Sequence, residues 1–403
     1  MKQSTDRMLA THIGSLPRPP DLLALMQARE QGESGEAPGK QGKEFDQAAF
    51  DARVREAVAE VVQRQAAVGL DVVNDGEQGK VGFITYANER LSGFEPRPER
   101  SGRPHFGGSR EHQTFPDFYE QVPGAGAGPT FGFDHLVCTG PVSYVGHAQL
   151  QKDIDNLKAA LAGVQVEEAF LPAVSPSNFE EWHRNRYYDT EEEYLFAIAD
   201  ALHEEYRAIV DAGFLLQVDD PNLVTYYNTH PGKTIEECRR WAEPRVDALN
   251  HALRDIPRDR VRFHTCYGIN IGPRVHDMEL KEIVDIMLRV RAGAYSFEAA
   301  NPRHEHEWKV WEQAALPDDA VLIPGVITNS GVVVEHPEVI SQRLARYAGV
   351  VGRERVIAGA DCGFATFATS RDMPPSVIWA KLEALGQGAR LATRELWGSA
   401  ASV

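Results

Sequence analysis

Four residues in the second half of the chain have the chemistry of a metal-ligand set. They are His264 and Cys266 in FHTCYG, Glu298 in YSFEAANP and Cys362 in AGADCGFAT. Each lies at or just past the end of a short apolar or β-branched run, where a strand would stop. Imidazole, thiolate and carboxylate are donors that Zn²⁺ accepts. Purely structural zinc favours all-Cys or Cys/His shells, so a carboxylate beside two thiolates points to a centre that takes a substrate as ligand. Residues two apart on a strand share a face, which lets His264 and Cys266 address one ion. Taken singly, each has a structural reading: a hydrogen-bonded core His, a small Cys at a turn, a Glu in a rim ion pair. Their recurrence at successive strand ends favours the joint one.

The elements that would position them alternate along the chain. Strands are expected at 8–15, 70–75, 136–145, 169–175, 214–219, 261–266, 294–299, 321–328 and 356–361. Amphipathic runs at 51–69, 192–213 and 243–256 have apolar residues at helical spacing. Repeated strand–helix units imply parallel pairing with right-handed crossovers. Polar residues recur after strand ends: His12 and Ser15, Asp75 and Glu77, Asp219 and Asp220, then the four candidate ligands. Many strands feeding one site is the habit of a (β/α)8 TIM barrel, and a G-x-G-x-x-G turn after a first strand is missing. The expected fold class is therefore α/β, a single (β/α)8 TIM barrel over residues 1–403, with insertions. Nine strand runs compete for eight places, and 136–145 is the one expected to be an edge hairpin or no strand at all.

Composition narrows the function. At 403 residues, with 42% hydrophobic and 25% charged residues, the chain is of ordinary globular type. A formal net charge of −17 argues against nucleic acid and against an anionic membrane as partner. No apolar run is long enough to span a bilayer, and the first residues lack a secretory h-region, so a cytoplasmic location is expected. Four cysteines are too few for a disulfide scaffold and should be thiols. Cys138 reads as a buried strand residue and Cys238 as a bystander in a charged helix.

Two segments interrupt the alternation. Residues 31–44 read as a solvated loop, and residues 93–130, rich in Pro, Gly, Arg and aromatics, as a lid insertion over a site. The block His304–His306 is not a second metal site, because helical residues two apart point away from each other. Trp182, Tyr187 and Tyr188 either wall a pocket or pack. His12 is a candidate substrate contact or a hydrogen-bonded rim residue.

These motifs together resemble the cobalamin-independent methionine synthase family, in its C-terminal catalytic half. HIGSLPR (12–18), NDGEQGK (74–80) and LQVDDPNL (216–223) match its substrate-side motifs; FHTCYG, SFEA and DCGF match its metal-bearing strands. The resemblance runs from about residue 8 to residue 385 and implies a (β/α)8 barrel holding Zn²⁺ through His264, Cys266, Glu298 and Cys362. It further implies that Ser15, Glu77 and Asp219 bind the amino-acid part of a homocysteine-like thiol, with Glu77 and Asp219 orienting the acceptor for catalysis. The implied activity is transfer of a methyl or other alkyl group onto a zinc-activated thiol, as in methionine biosynthesis. The donor would be methyl-folate, a methylcorrinoid or an epoxide, and a homo-oligomer is compatible with this reading.

Departures from the pattern qualify the donor. The family's His after strand eight is here Ser330, in Gly325–Ser330, and no second barrel half fits in the chain. The chain also resembles the short branch that includes epoxyalkane:coenzyme M transferases, around AGAYSFEAANPRHEHEW (292–308). There a sulfonated thiol opens an epoxide, and Arg97, Arg100, Arg103 and Arg110 would be sulfonate partners. A non-catalytic zinc-binding barrel is a third reading.

Overall fold

The computed structural model describes residues 1–33, 45–96, 107–122, 136–268, 271–370 and 373–398. Ten strands lie among them: β1 (Val72–Val73), β2 (Leu91–Pro96), β3 (Leu136–Tyr144), β4 (Glu168–Val174), β5 (Arg184–Asn185), β6 (Leu215–Asp219), β7 (Val261–Thr265), β8 (Ala294–Phe297), β9 (Val321–Ile327) and β10 (Gly359–Ala360). Seven form one sheet in the order β1-β4-β6-β7-β8-β9-β10, with every pair parallel. Every residue of β6, β7, β8 and β9 is buried. This is why these runs are continuously apolar: a parallel sheet covered on both faces has no solvent side to alternate with. One apolar core runs from Met8 to Ala392.

The sheet curls. Residues 10 and 11 make bridges to both of its ends, Ala10 with Ala358 and Thr11 with Val72. The Thr11 N–H donates to Ala358 O at 2.8 Å and the Val72 N–H to Ala10 O at 3.1 Å. A single short segment reaches both ends only if the sheet bends round on itself. Arg262 of the central strand β7 ties the same segment down from inside. Its Nη1 donates to Thr11 Oγ1 at 3.1 Å, its Nη2 to His12 O at 2.9 Å, and it lies 3.9 Å from the centre of the Phe170 ring.

Outside this sheet, β2 and β3 form an antiparallel hairpin that continues into β5. The 136–145 run thus lies outside the main sheet, but as the middle strand of a small sheet and not as an edge. The 93–130 insertion starts later than its composition suggests, because residues 93–96 belong to β2. Gly93 explains the disguise: it sits at φ +93° in a bulge, and a Cβ there would lie 2.6 Å from Pro141 O. Residues 107–122 carry two short helices, Arg110–Thr114 and Pro116–Gln121, while 97–106 and 123–135 lie outside the described residues. Of the 31–44 loop, residues 31–33 complete the helix Pro20–Glu33 and the rest lies outside the described residues.

The expected helices are present as Gln47–Ala67, Glu191–Asp211 and Ile235–Ala252. The third begins earlier than the apolar spacing indicates. A capping box between Thr234 and Glu237 starts it, and Pro244, which reads as a helix start, lies inside it. No helix among the described residues is long and apolar enough to cross a membrane.

β9 and β10 approach so closely that Gly325 has no room for a side chain: a Cβ would fall 2.0 Å from Asp361 Oδ1 and 2.7 Å from Asp361 Cα. Gly325→Ala should therefore lower the urea and thermal unfolding midpoints, by a loss of about 1–3 kcal/mol for overpacking. An unfolding curve superposable on that of the wild type would contradict this packing.

Candidate functional site

Because the seven strands are parallel, their C-terminal ends share one edge, and the candidate residues follow those ends. Asp219 closes β6, Cys266 follows β7, Glu298 follows β8 and Cys362 follows β10 by two residues. Register sets their neighbours: Asp219 pairs with His264, His264 with Ser296, and Thr265 with Phe297.

His264, Cys266 and Cys362 come together, with their ligand atoms all within 4.8 Å of one another, and all three are buried. The Cys362 and Cys266 sulfurs are 3.3 Å apart. The His264 Nδ1 lies 3.3 Å from Ser296 Oγ, and Nε2 is buried with no hydrogen-bond partner among the described residues. Burial, with Arg262 nearby, pushes the His264 imidazole down to about 3, so it is a neutral donor. The hydrogen bond from Cys362 to Cys266, and then burial, push the Cys362 thiol well above its ordinary range. Two thiolates this close need a cation between them. A neutral imidazole with an orphaned nitrogen beside two buried sulfurs fits a soft divalent ion.

Glu298 is adjacent but lies outside that group. Its Oε1 accepts from the Tyr267 N–H at 2.8 Å; its Oε2 accepts from Arg274 Nη1 at 2.5 Å and from Asn301 Nδ2 at 2.8 Å. Burial raises its carboxyl to about 7 even against the opposing pull of Arg274. Asp361 organises the turn that follows. Its Oδ1 accepts from the Ala299 and Ala300 N–H groups, both at 2.7 Å, and its Oδ2 from the Asn301 N–H at 3.0 Å. Asn301 is thus part of this network, and helical structure begins only at Glu305, as a 3-10 helix. His304 is buried between Glu307 (2.8 Å) and Asp277 (3.1 Å) and stacks on Tyr267.

Glu77 and Asp219 line one narrow recess with Lys80, Phe83, Tyr86, Pro172 and Ala173. Glu77 has φ +55° directly after Gly76 at +63°, a left-handed pair that is strained for the glutamate. Its Oε2 is buried without a partner among the described residues. Burial raises both carboxyls, and for Asp219 the neighbouring Glu77 adds to the effect. Lys80 supplies the countercharge, its Nζ 2.8 Å from Pro172 O and 4.0 Å from the centre of the Tyr86 ring.

Ser15 pins the Cys362 loop: its Oγ accepts from the Ala365 N–H at 3.3 Å and its carbonyl from the Phe364 N–H at 3.0 Å. His12 uses both ring nitrogens internally. Nε2 meets Gln65 Oε1 at 2.7 Å, and Nδ1 accepts from the Gly14 N–H at 3.3 Å, so the ring holds the turn and presents no nitrogen to a ligand. Three contributors lay in quoted motifs without an assigned role. Arg18 joins Ala365 O to the Glu77 and Lys80 carbonyls, Lys80 balances the acids, and Asp361 clamps the Glu298 turn. An Arg directly after a Pro, or a Lys closing a Gly-rich turn, carries no spacing that marks it. Trp182 and Tyr188 pack against the main core, Tyr188 OH accepting from the Val142 N–H at 2.9 Å.

Proteins similar to this one share its length. A methionine synthase of Sulfurisphaera tokodaii is 24% identical over 389 residues, covering 96% of this chain and 93% of that protein. One of Sulfolobus acidocaldarius is 25% identical over 395 residues, covering 96% and 92%. The chain resembles methionine synthases over nearly its whole length. No family model matches it. Among solved structures, a B12-independent methionine synthase from Shewanella sp. W3-18-1, in complex with selenomethionine, superposes with a TM-score of 0.69 at 19% identity, over 96% of this chain and 99% of that one. The fold is therefore that of the methionine synthase barrels.

Asp361→Asn replaces an acceptor oxygen with an N–H donor facing backbone N–H groups. It should lower stability by about 1–3 kcal/mol, the range for a buried group left unsatisfied. A thermal midpoint equal to that of the wild type would contradict this role.

Proposed function

We propose that the protein is a zinc-dependent S-methyltransferase that moves a methyl group onto the thiol of homocysteine or a close analogue. The observation that carries this reading is the buried trio His264, Cys266 and Cys362 with ligand atoms within 4.8 Å. Zinc would be held by these three, with Glu298 as the fourth candidate ligand; thiolate and imidazole together suit this ion. Bound there, zinc would supply deprotonation of the acceptor thiol at neutral pH. The rest falls to the chain. Glu77 and Asp219 present carboxylates to the substrate ammonium, Lys80 balances them, and Ser15 and Arg18 hold the Glu77 turn against the Cys362 loop. In this reading residues 8–15 supply the eighth strand of one (β/α)8 barrel.

Two observations favour an amino-acid thiol over a sulfonated one. The recess beside the trio is lined by two acids, which repel a sulfonate. Arg110 is spent on the Tyr227, His230 and Lys233 carbonyls, while Arg97, Arg100 and Arg103 lie outside the described residues. The relatives named methionine synthase are matched over 92–93% of their own length, so a chain of this size suits a protein of that name.

Metal analysis of the purified protein should give one zinc per chain, lost in Cys266→Ser and Cys362→Ser together with methyl transfer to homocysteine. Homocysteine and coenzyme M, each assayed with methyl-folate, methylcobalamin and short epoxides, separate the readings. Full activity in zinc-free protein, or use of coenzyme M alone, would sink this one. Asp219→Asn should raise KM for homocysteine about tenfold or more, the scale of a charged hydrogen bond, while zinc content stays at the wild-type level.

A further inference from the structure

Three buried charges line the narrow recess, and none of them is paired. Lys80 is one of two lysines buried among the described residues. The other, Lys381, meets Glu335 at 2.9 Å. Lys80 forms no ion pair among the described residues; its Nζ donates to Pro172 O at 2.8 Å and lies 4.0 Å from the centre of the Tyr86 ring. A carbonyl and a ring face leave an ammonium with a donor to spare and no countercharge in contact. Glu77 and Asp219 share the recess with it, and neither forms an ion pair among the described residues. Glu77 Oε2 has no hydrogen-bond partner there, and Asp219 Oδ1 accepts from the neutral Gln217 Nε2 at 2.8 Å.

The chain holds these groups apart. Arg18 Nη2 donates to both the Glu77 and the Lys80 carbonyls, each at 2.8 Å, so one guanidinium nitrogen sets the backbone of acid and base together. Gly14 makes room for the acid, because a Cβ there would lie 2.7 Å from Glu77 Oε1. Pro172, at the middle of β4, fixes the ammonium from the opposite wall. Buried opposite charges this near one another ordinarily close into an ion pair. Here they are kept open, and the group that matches them carries an ammonium and a carboxylate on one carbon.

We propose that Lys80 is a specificity-determining residue, its ammonium binding the α-carboxylate of the acceptor amino acid while Glu77 and Asp219 bind the α-ammonium. The proposal rests on the amino-acid reading above and deepens it. A thiol with only an amine leaves Lys80 unmatched, and a thiol with only an acid leaves Glu77 and Asp219 unmatched. The recess selects the zwitterion.

Calorimetric titration of the full chain tests it. The ligands are methionine, which has the same amino-acid end and no thiol, the amine that lacks its carboxylate, and the acid that lacks its ammonium. The wild type should bind methionine most tightly. Lys80→Met should weaken methionine binding about tenfold or more, the scale of a charged hydrogen bond, and spare the amine. Asp219→Asn should weaken methionine and the amine and spare the acid. In turnover, Lys80→Met should raise KM for homocysteine and leave kcat unchanged, the mark of lost uniform binding. Should Lys80→Met fail to fold by circular dichroism, Lys80→Gln carries the test, since its amide keeps an N–H for Pro172 O. An equal loss for methionine and the amine in a folded variant, or no loss for methionine, overturns this proposal alone. A wild-type chain that binds neither methionine nor the amine overturns the amino-acid reading beneath it as well.

Discussion

One buried carboxylate holds the centre of this molecule together. Asp361 stands between the end of β10 and Cys362, and it accepts the three successive backbone N–H groups that follow Glu298. Without an acceptor there, those N–H groups would be orphaned inside a dry interior. With it, the turn after β8 and the loop after β10 become one rigid unit. The absence of a side chain at Gly325 makes room for that carboxylate. Cys362 and Glu298 owe their fixed separation to this arrangement, and the pairing of β7 with β8 adds His264 and Cys266 to the same unit.

Much of this was legible because a parallel sheet imposes few choices. Continuous apolar runs such as 261–266 and 321–328 have to be buried on both faces, and their polar successors have to lie at one edge. The chemistry of His264, Cys266 and Cys362 could therefore be read as a group before any distance was known. Other features had no such rule behind them. Residues 8–15 make only isolated bridges, one to each end of the sheet, and so form no strand of their own. β2 was hidden by a bulge at Gly93, and β5 is only two residues long. His12 read equally as a substrate contact or a hydrogen-bonded residue, and its partner Gln65 lies 53 residues away in sequence. Glu298 had the right type and place, yet its partner Arg274 lies in a loop whose conformation no local pattern reveals.

The site divides into two electrostatic halves. On one side are sulfur and imidazole, buried and suited to a soft cation. On the other are Glu77 and Asp219, acids whose burial raises their carboxyls and whose lysine neighbour is already engaged. Such a recess is stabilised by gaining a positive charge, which the ammonium of the proposed substrate would supply. The same arrangement makes the strained Glu77 turn intelligible: a left-handed glutamate after a left-handed glycine aims its carboxylate inward at the cost of backbone comfort. Arg18 holds that turn by its carbonyls rather than by its acid, which leaves Glu77 Oε2 uncommitted.

The links made by Ser15 and Arg18 also govern the order in which the protein can mature. They join the first strand-end turn to Ala365, sequence separations of 350 and 347 residues. A ribosome delivers the chain from its N-terminus, so Glu77 and Cys266 emerge long before the loop that completes their surroundings. Assembly of the thiol pair is therefore a late event in biosynthesis, and Cys266 waits as a lone sulfhydryl on the nascent chain until Cys362 arrives to meet it.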